Sequence, residues 1–147
     1  MLSKLYLLIT LIPFIIMKGQ INNDEYKKML DSAISLKNEN SSNVSKHYVL
    51  NSENLPYNLN NDLKSKGLET INIYDKKNKK IITKGINVWK IIPILKKNIF
   101  EIQIIDFTVQ QSKNNFQFSN GGGSIFIYEY SCENEIWKLT SSKHSGI

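Results

Sequence analysis

An α+β fold, with one N-terminal helix packed on a curved antiparallel β-sheet, is predicted by three features of the amino-acid sequence. One stretch near the N-terminus spaces its apolar residues as a helix does. From residue 47 onward the apolar residues fall into strand-like runs separated by asparagine, lysine and glycine turns. One of those runs changes face half-way along, as a bulged, bending strand does. Helix first and a meander of strands after it is the order of an α+β domain, expected here over residues 20–147.

Residues 1–19 stand apart from that domain. Met1-Leu2-Ser3-Lys4 is a short positive segment, and residues 5–17 are apolar except for Thr10 and Pro13. About a dozen apolar residues is the length of a signal-peptide core. A membrane-spanning helix needs roughly 20, and Pro13 would break its backbone ladder. Gly19 is small enough to precede the cut, so cleavage is expected after it, with Gln20 as the new N-terminus. The expected location is outside the cytoplasm, periplasmic or extracellular, with no stable membrane insertion once the leader is gone. The chain has one cysteine, Cys132, far from the leader. It therefore supplies neither a lipoprotein thioether nor a disulfide, and about 130 mature residues must be held by packing.

The helix is expected over residues 22–37. Asn23 or Asp24 can cap it, Asp24 and Glu25 lie in its first turn, and Lys37 lies near its end, as the helix dipole prefers. Tyr26, Met29, Leu30, Ala33, Ile34 and Leu36 recur at three- and four-residue steps and form its apolar face. Strands follow. Residues 47–50 are a short apolar run, and 51–66 a loop with one helical turn near 59–63. Residues 68–74 and 80–84 read as a hairpin around the lysine-rich turn at 76–80. Residues 88–95 pair with 99–110 through Lys96, Lys97 and Asn98; Pro93, lacking an amide hydrogen, demands an edge or a break there. In the second of these strands Ile102 and Ile104 share one parity and Ile105, Phe107 and Val109 the other, which predicts a β-bulge. Residues 125–131 and 136–140 form the closing hairpin.

Charge excludes one class of partner. All 19 basic residues are lysine, against 13 acids, and two lysines leave with the leader, for a mature net charge of about +4. Lysine, asparagine and isoleucine share AT-rich codons, so genome composition accounts for the bias. Nucleic-acid readers exploit the bidentate fork of arginine, which is absent, and no nucleic-acid partner is expected.

Catalytic and metal chemistry find little support. His47 and His144 stand at opposite ends of the mature chain without metal-ligand spacing, so no metal or cofactor is expected. Residues 119–124, Ser-Asn-Gly-Gly-Gly-Ser, lack the lysine–hydroxyl pair and helix of a phosphate loop and precede a strand instead; a bulge or hairpin connection is expected. Asp106 and Glu129 sit in apolar strands and are the acid/base candidates for an enzyme. Strand alternation, with both carboxylates pointing to solvent, is the plainer account of them. Phe126, Tyr128 and Tyr130 lie on one face of a strand whose other face carries Ile125 and Ile127, and Trp137 follows in the next strand. A strand apolar on both faces needs cover on both. With one helix to provide it, Phe126, Tyr128, Tyr130 and Trp137 are the candidate ligand- or partner-binding residues.

The helix-then-meander order, closing in Glu135-Ile136-Trp137-Lys138-Leu139, resembles the cystatin-like and nuclear-transport-factor-like cones over most of the mature chain. That resemblance implies a helix held in the concave side of a bent sheet. The cystatin inhibitory pattern of Gln-x-Val-x-Gly is absent, and Val109-Gln110-Gln111 does not supply it, so protease inhibition is not implied. The chain also looks like small exported proteins of unknown function from AT-rich Gram-negative bacteria, which implies a compartment and no chemistry. Three functions follow as expectations. The first is a non-enzymatic envelope module that binds a protein or small apolar ligand on the curved sheet, with a homodimer as one arrangement. The others are a small cone-fold enzyme using Asp106 or Glu129, and a secreted immunity or antagonist protein.

Overall fold

A computed structural model describes residues 21–41, 46–113 and 115–146; the leader expected over residues 1–19 lies outside them. Helix α1 spans Asn23–Asn40. Its cap is Asn22, one residue before the expected pair, whose side chain accepts a hydrogen bond from the Glu25 amide at 2.8 Å. At the other end it runs three residues past the expected end at Lys37, and Asn40 Nδ2 donates back to Leu36 O at 2.8 Å. Strand β1 (His47–Leu50) leads through α2 (Asn61–Ser65) to the two-residue β2 (Leu68–Glu69). A 3₁₀ turn (Lys76–Asn78) and α3 (Lys79–Thr83) precede the long strands. These are β3 (Ile86–Lys96), β4 (Ile99–Ser112), β5 (Asn115–Ser131) and β6 (Ile136–Gly146).

The expected hairpin at 68–74 and 80–84 does not form. Only Leu68 and Glu69 are strand, and the second arm is helical. The short helix buries Ile82 completely against the sheet and leaves Ile81 40% exposed. Asp75 starts the turn by accepting from the Lys77 amide at 3.0 Å, and lysines are good helix formers.

The sheet is curled, with order β2-β1-β3-β4-β5-β6. β3 to β6 form the antiparallel meander, and β1 joins it parallel to both β3 and β2. Pro93 falls where β3 is an edge, because β1 ends opposite Lys90. A bulge is present, but its extra residue lies in the glycine run of β5 and not in β4, where the change of parity predicts it. Ile105 pairs with Gly123 and Phe107 with Asn120, so Asp106 faces two residues, Gly121 and Gly122. The glycine run is therefore bulged strand. Gly122 takes a φ of 110°, and a Cβ on Gly123 would come within 2.8 Å of Ile104 O.

The switch of apolar parity in β4 has a different cause, since β4 keeps its alternation against β3 throughout: the sheet carries two cores, one on each face. On the inner face α1 buries Met29, Leu30, Ala33 and Ile34 against Trp89, Ile91, Phe100, Ile102, Ile104, Phe126 and Tyr128. On the outer face Ile71, Ile73 and Ile82, from the segment between β2 and β3, cover Ile86, Val88 and Val109, flanked by Phe107, Phe116 and Phe118. Each fully buried aliphatic or aromatic side chain contributes about 1.5–3 kcal/mol. No helix among the described residues is long and apolar enough to cross a membrane.

Candidate binding surface

Alternation puts Phe126, Tyr128 and Tyr130 on the inner face, and α1 has already closed over the first two. Phe126 is fully buried, and Tyr128 sends its hydroxyl to Met29 O at 3.4 Å. Burial pushes the Tyr128 phenol above its ordinary pKa. Tyr130 and Trp137 are half-buried, with ring centroids 5.4 Å apart, and Trp137 meets Phe100 edge-on at 6.3 Å. Together with Tyr26, 5.4 Å from Phe100, they seal the end of the inner core near the start of α1. Of the four aromatic candidates, only Tyr130 and Trp137 keep area for a partner.

The other end of α1 carries a polar cluster that sequence reading did not assemble. Lys37 is buried, and its Nζ donates to Asp106 Oδ2 at 2.9 Å and to Ser124 Oγ at 3.3 Å. The same ammonium sits 5.1 Å from the Trp89 ring centroid. Ser124 Oγ lies 2.9 Å from His144 Nδ1, and His47 stacks on Trp89 at 4.7 Å. Both histidines thus join one inner-face cluster from the two ends of the sequence. A signal for part of it was present: Leu30, Ala33, Ile34 and Lys37 occupy one helical stripe, so Lys37 had to enter the core and find a carboxylate.

This arrangement bears on the two acid/base candidates. Asp106 is committed to Lys37, and its carboxylate is held as the counter-ion of a buried ammonium. Glu129 is exposed, and alternation turns it to the outer face. The two carboxylates therefore point to opposite sides of the sheet and cannot share a substrate. No group of three metal-ligating side chains occurs among the described residues.

What remains uncovered is the outer face of the meander beyond the second core. Register places Gln103 between Ile92 and Ile125, and Glu101 between Ile94 and Ile127, with Ile105 one row further along β4. Gln103 donates to Glu101 at 2.5 Å, so the polar pair in the middle of this face satisfies itself. Ile92, Ile94, Ile105 and Ile127 are half-exposed, and Ile99 and Ile125 are 37% and 36% exposed. Isoleucines ringed around the Glu101–Gln103 pair, with Lys90, Lys138, Lys143 and Glu129 at the rim, have the form of an interaction site. A separate open cleft of about 260 Å³ lies between β2 and the 3₁₀ turn, lined by polar side chains with Tyr48, Ile71 and Ile81.

The chain matches no family model, no curated protein and no solved structure in these comparisons.

Proposed function

We propose that this chain is an exported, non-enzymatic binding module that takes a protein partner on the outer face of β3 to β6. The uncovered isoleucine face carries the reading. A row of half-exposed isoleucines on a sheet stabilises the fold little and is costly to leave in water, which is what an interface residue does before its partner arrives. The inner face is filled by α1, and this favours a protein over a small apolar ligand. The engagement of Asp106 with Lys37 and the exposure of Glu129 weigh against acid/base catalysis. Export rests on the leader at residues 1–19.

The test is site-specific photocrosslinking in the native host, with the reactive side chain at Ile125 and, as a control, at Ser65 in α2. One discrete adduct is expected from position 125 and none from position 65. Intact mass of the same material should lack residues 1–19. Equal, diffuse labelling from both positions would refute the binding face; a mass that retains Met1 would refute processing of the leader.

A further inference from the structure

The two edges of the sheet are built differently. β2 offers only Leu68 and Glu69, and beside them Lys46 and Glu69 close an ion pair at 2.7 Å. β6 runs from Ile136 to Gly146, and among the described residues no strand lies on its far side. A long edge presents a row of backbone donors and acceptors without ladder partners, a ready template for another strand. Natural sheets blunt such edges by shortening them, as at β2. β6 instead keeps its length and has one irregularity, where the register against β5 slips beside Thr140.

The side chains of β6 specify what can be added. Lys138 pairs in register with Glu129 and Lys143 with Ile125, so both lysines flank the outer isoleucine face. Trp137, Leu139 and His144 pair with Tyr130, Tyr128 and Ser124 and belong to the inner face. Leu139 is 41% exposed there. The strand has no acidic residue. An incoming strand therefore meets positive charge on one side and apolar surface on the other.

We infer that β6 accepts an added strand from the partner protein, an extended segment that alternates apolar residues toward Trp137 and Leu139 with acidic residues toward Lys138 and Lys143. This rests on the binding-module reading and continues the same outer face to its edge. A second copy of the chain is the poorer occupant. In the register that sets Lys138 of one β6 strand opposite Lys143 of another, like charges would face each other with no carboxylate in either strand, and such pairs are destabilising.

The experiment is hydrogen exchange by mass spectrometry on the protein as its host processes it, with two synthetic peptides of about ten residues, the length of a typical long strand. One alternates valine and glutamate, the other valine and lysine. With the glutamate peptide at saturation, the amides of residues 136–146 should exchange about tenfold more slowly, while those of β2 are unchanged. The lysine peptide should protect nothing. The double variant Lys138→Gln, Lys143→Glu leaves the buried core untouched and should weaken the glutamate peptide about tenfold, with the loss shrinking in high salt. Protection by both peptides alike, or by neither, overturns the inference. Protection that grows with protein concentration in the absence of peptide overturns it in favour of a second copy. The adduct at Ile125 reports separately: an adduct without peptide protection removes the edge and keeps the face, whereas protection without an adduct does the reverse.

Discussion

The outer face of the sheet has two halves made from the same strands, and only one of them is covered. Around Ile86, Val88 and Val109 the face is closed by Ile71, Ile73 and Ile82. Around Ile92, Ile105, Ile125 and Ile127 it is bare. Both halves have β-branched residues at alternate positions, but the closed half adds Phe107, Phe116 and Phe118, whereas Glu101 and Gln103 stand at the centre of the bare one. The connections differ as well. Residues 51–85 join β1 to β3 and are long enough to fold α2, the 3₁₀ turn and α3 over the sheet. The turns of the meander are tight, with Lys97, Lys113 and Glu135 at φ values of 54°, 55° and 52°, and have no chain to spare. Cover follows connection length, and a meander built from tight turns exposes whatever face its one helix does not reach.

The largest difference between the halves should appear in stability. Ile82→Ala removes a fully buried side chain from the closed half and leaves a cavity between α3 and the strands. About 2–4 kcal/mol should be lost, read as a lower midpoint in urea unfolding. An unchanged midpoint would mean that α3 rests on the sheet without holding it, and the distinction between the halves would fall.

A second, intermediate effect tests how the inner face is closed. The long connection is tied to α1 through Asp31, which accepts from Tyr57 Oη at 2.8 Å, from Asn60 Nδ2 at 3.0 Å and from Lys27 Nζ at 2.6 Å. Burial first, and the Asp31 carboxylate second, push the Tyr57 phenol far above its ordinary pKa near 10. Folding therefore favours the neutral phenol, while the unfolded chain ionises at the ordinary value. The stability due to this group is complete below pH 10 and declines as pH rises above it, by about 1.4 kcal/mol per pH unit for one proton. Tyr57→Phe should cost about 1.5 kcal/mol at neutral pH, as for a hydrogen bond to a charged acceptor. It should also flatten the alkaline decline by one proton's worth, in urea midpoints measured between pH 9 and 11. A slope identical to wild type would show that Tyr26 and Tyr128, whose pKa values burial also raises, carry the alkaline dependence.

Sequence reading found what local rules control. The apolar stripe of α1, the turn at Lys97-Asn98, the edge at Pro93 and the bulge in the glycine run of β5 follow from spacing and turn residues, which act over a few positions; the bulge that parity predicts in β4 is not there, because its two apolar parities serve two cores. The helical form of residues 79–83 was missed because neighbouring lysines hide a weak pattern, and the decision lay with Ile82 finding a pocket against β3 and β4. The polar cluster was half legible. Lys37 stands on the buried stripe of α1, but its partner Asp106 is far along the chain, and the bulge at Gly121 and Gly122 sets which β5 residue lies beside it. The two-faced apolarity of β5 was visible as well. Which face stays open was not, because that depends on where α1 docks, and so the free surface passes from Phe126 and Tyr128 to Ile125 and Ile127.

The smallest stability change belongs to the bare half, and that smallness is its diagnostic. Ile125 is 36% exposed and packs only in part, so Ile125→Ser should lower the unfolding free energy by about 1 kcal/mol, less than the loss at Ile82. Serine has a lower strand propensity than isoleucine, which accounts for a loss of that size without any partner. Ile125→Thr keeps the β-branch and should recover part of it. If the face serves a partner, both variants should fail to compete with the wild-type protein for that partner, although their stabilities differ. A surface residue kept only for strand propensity behaves otherwise: threonine would then rescue function together with stability. The threonine variant therefore separates an isoleucine that binds from one that merely favours a strand.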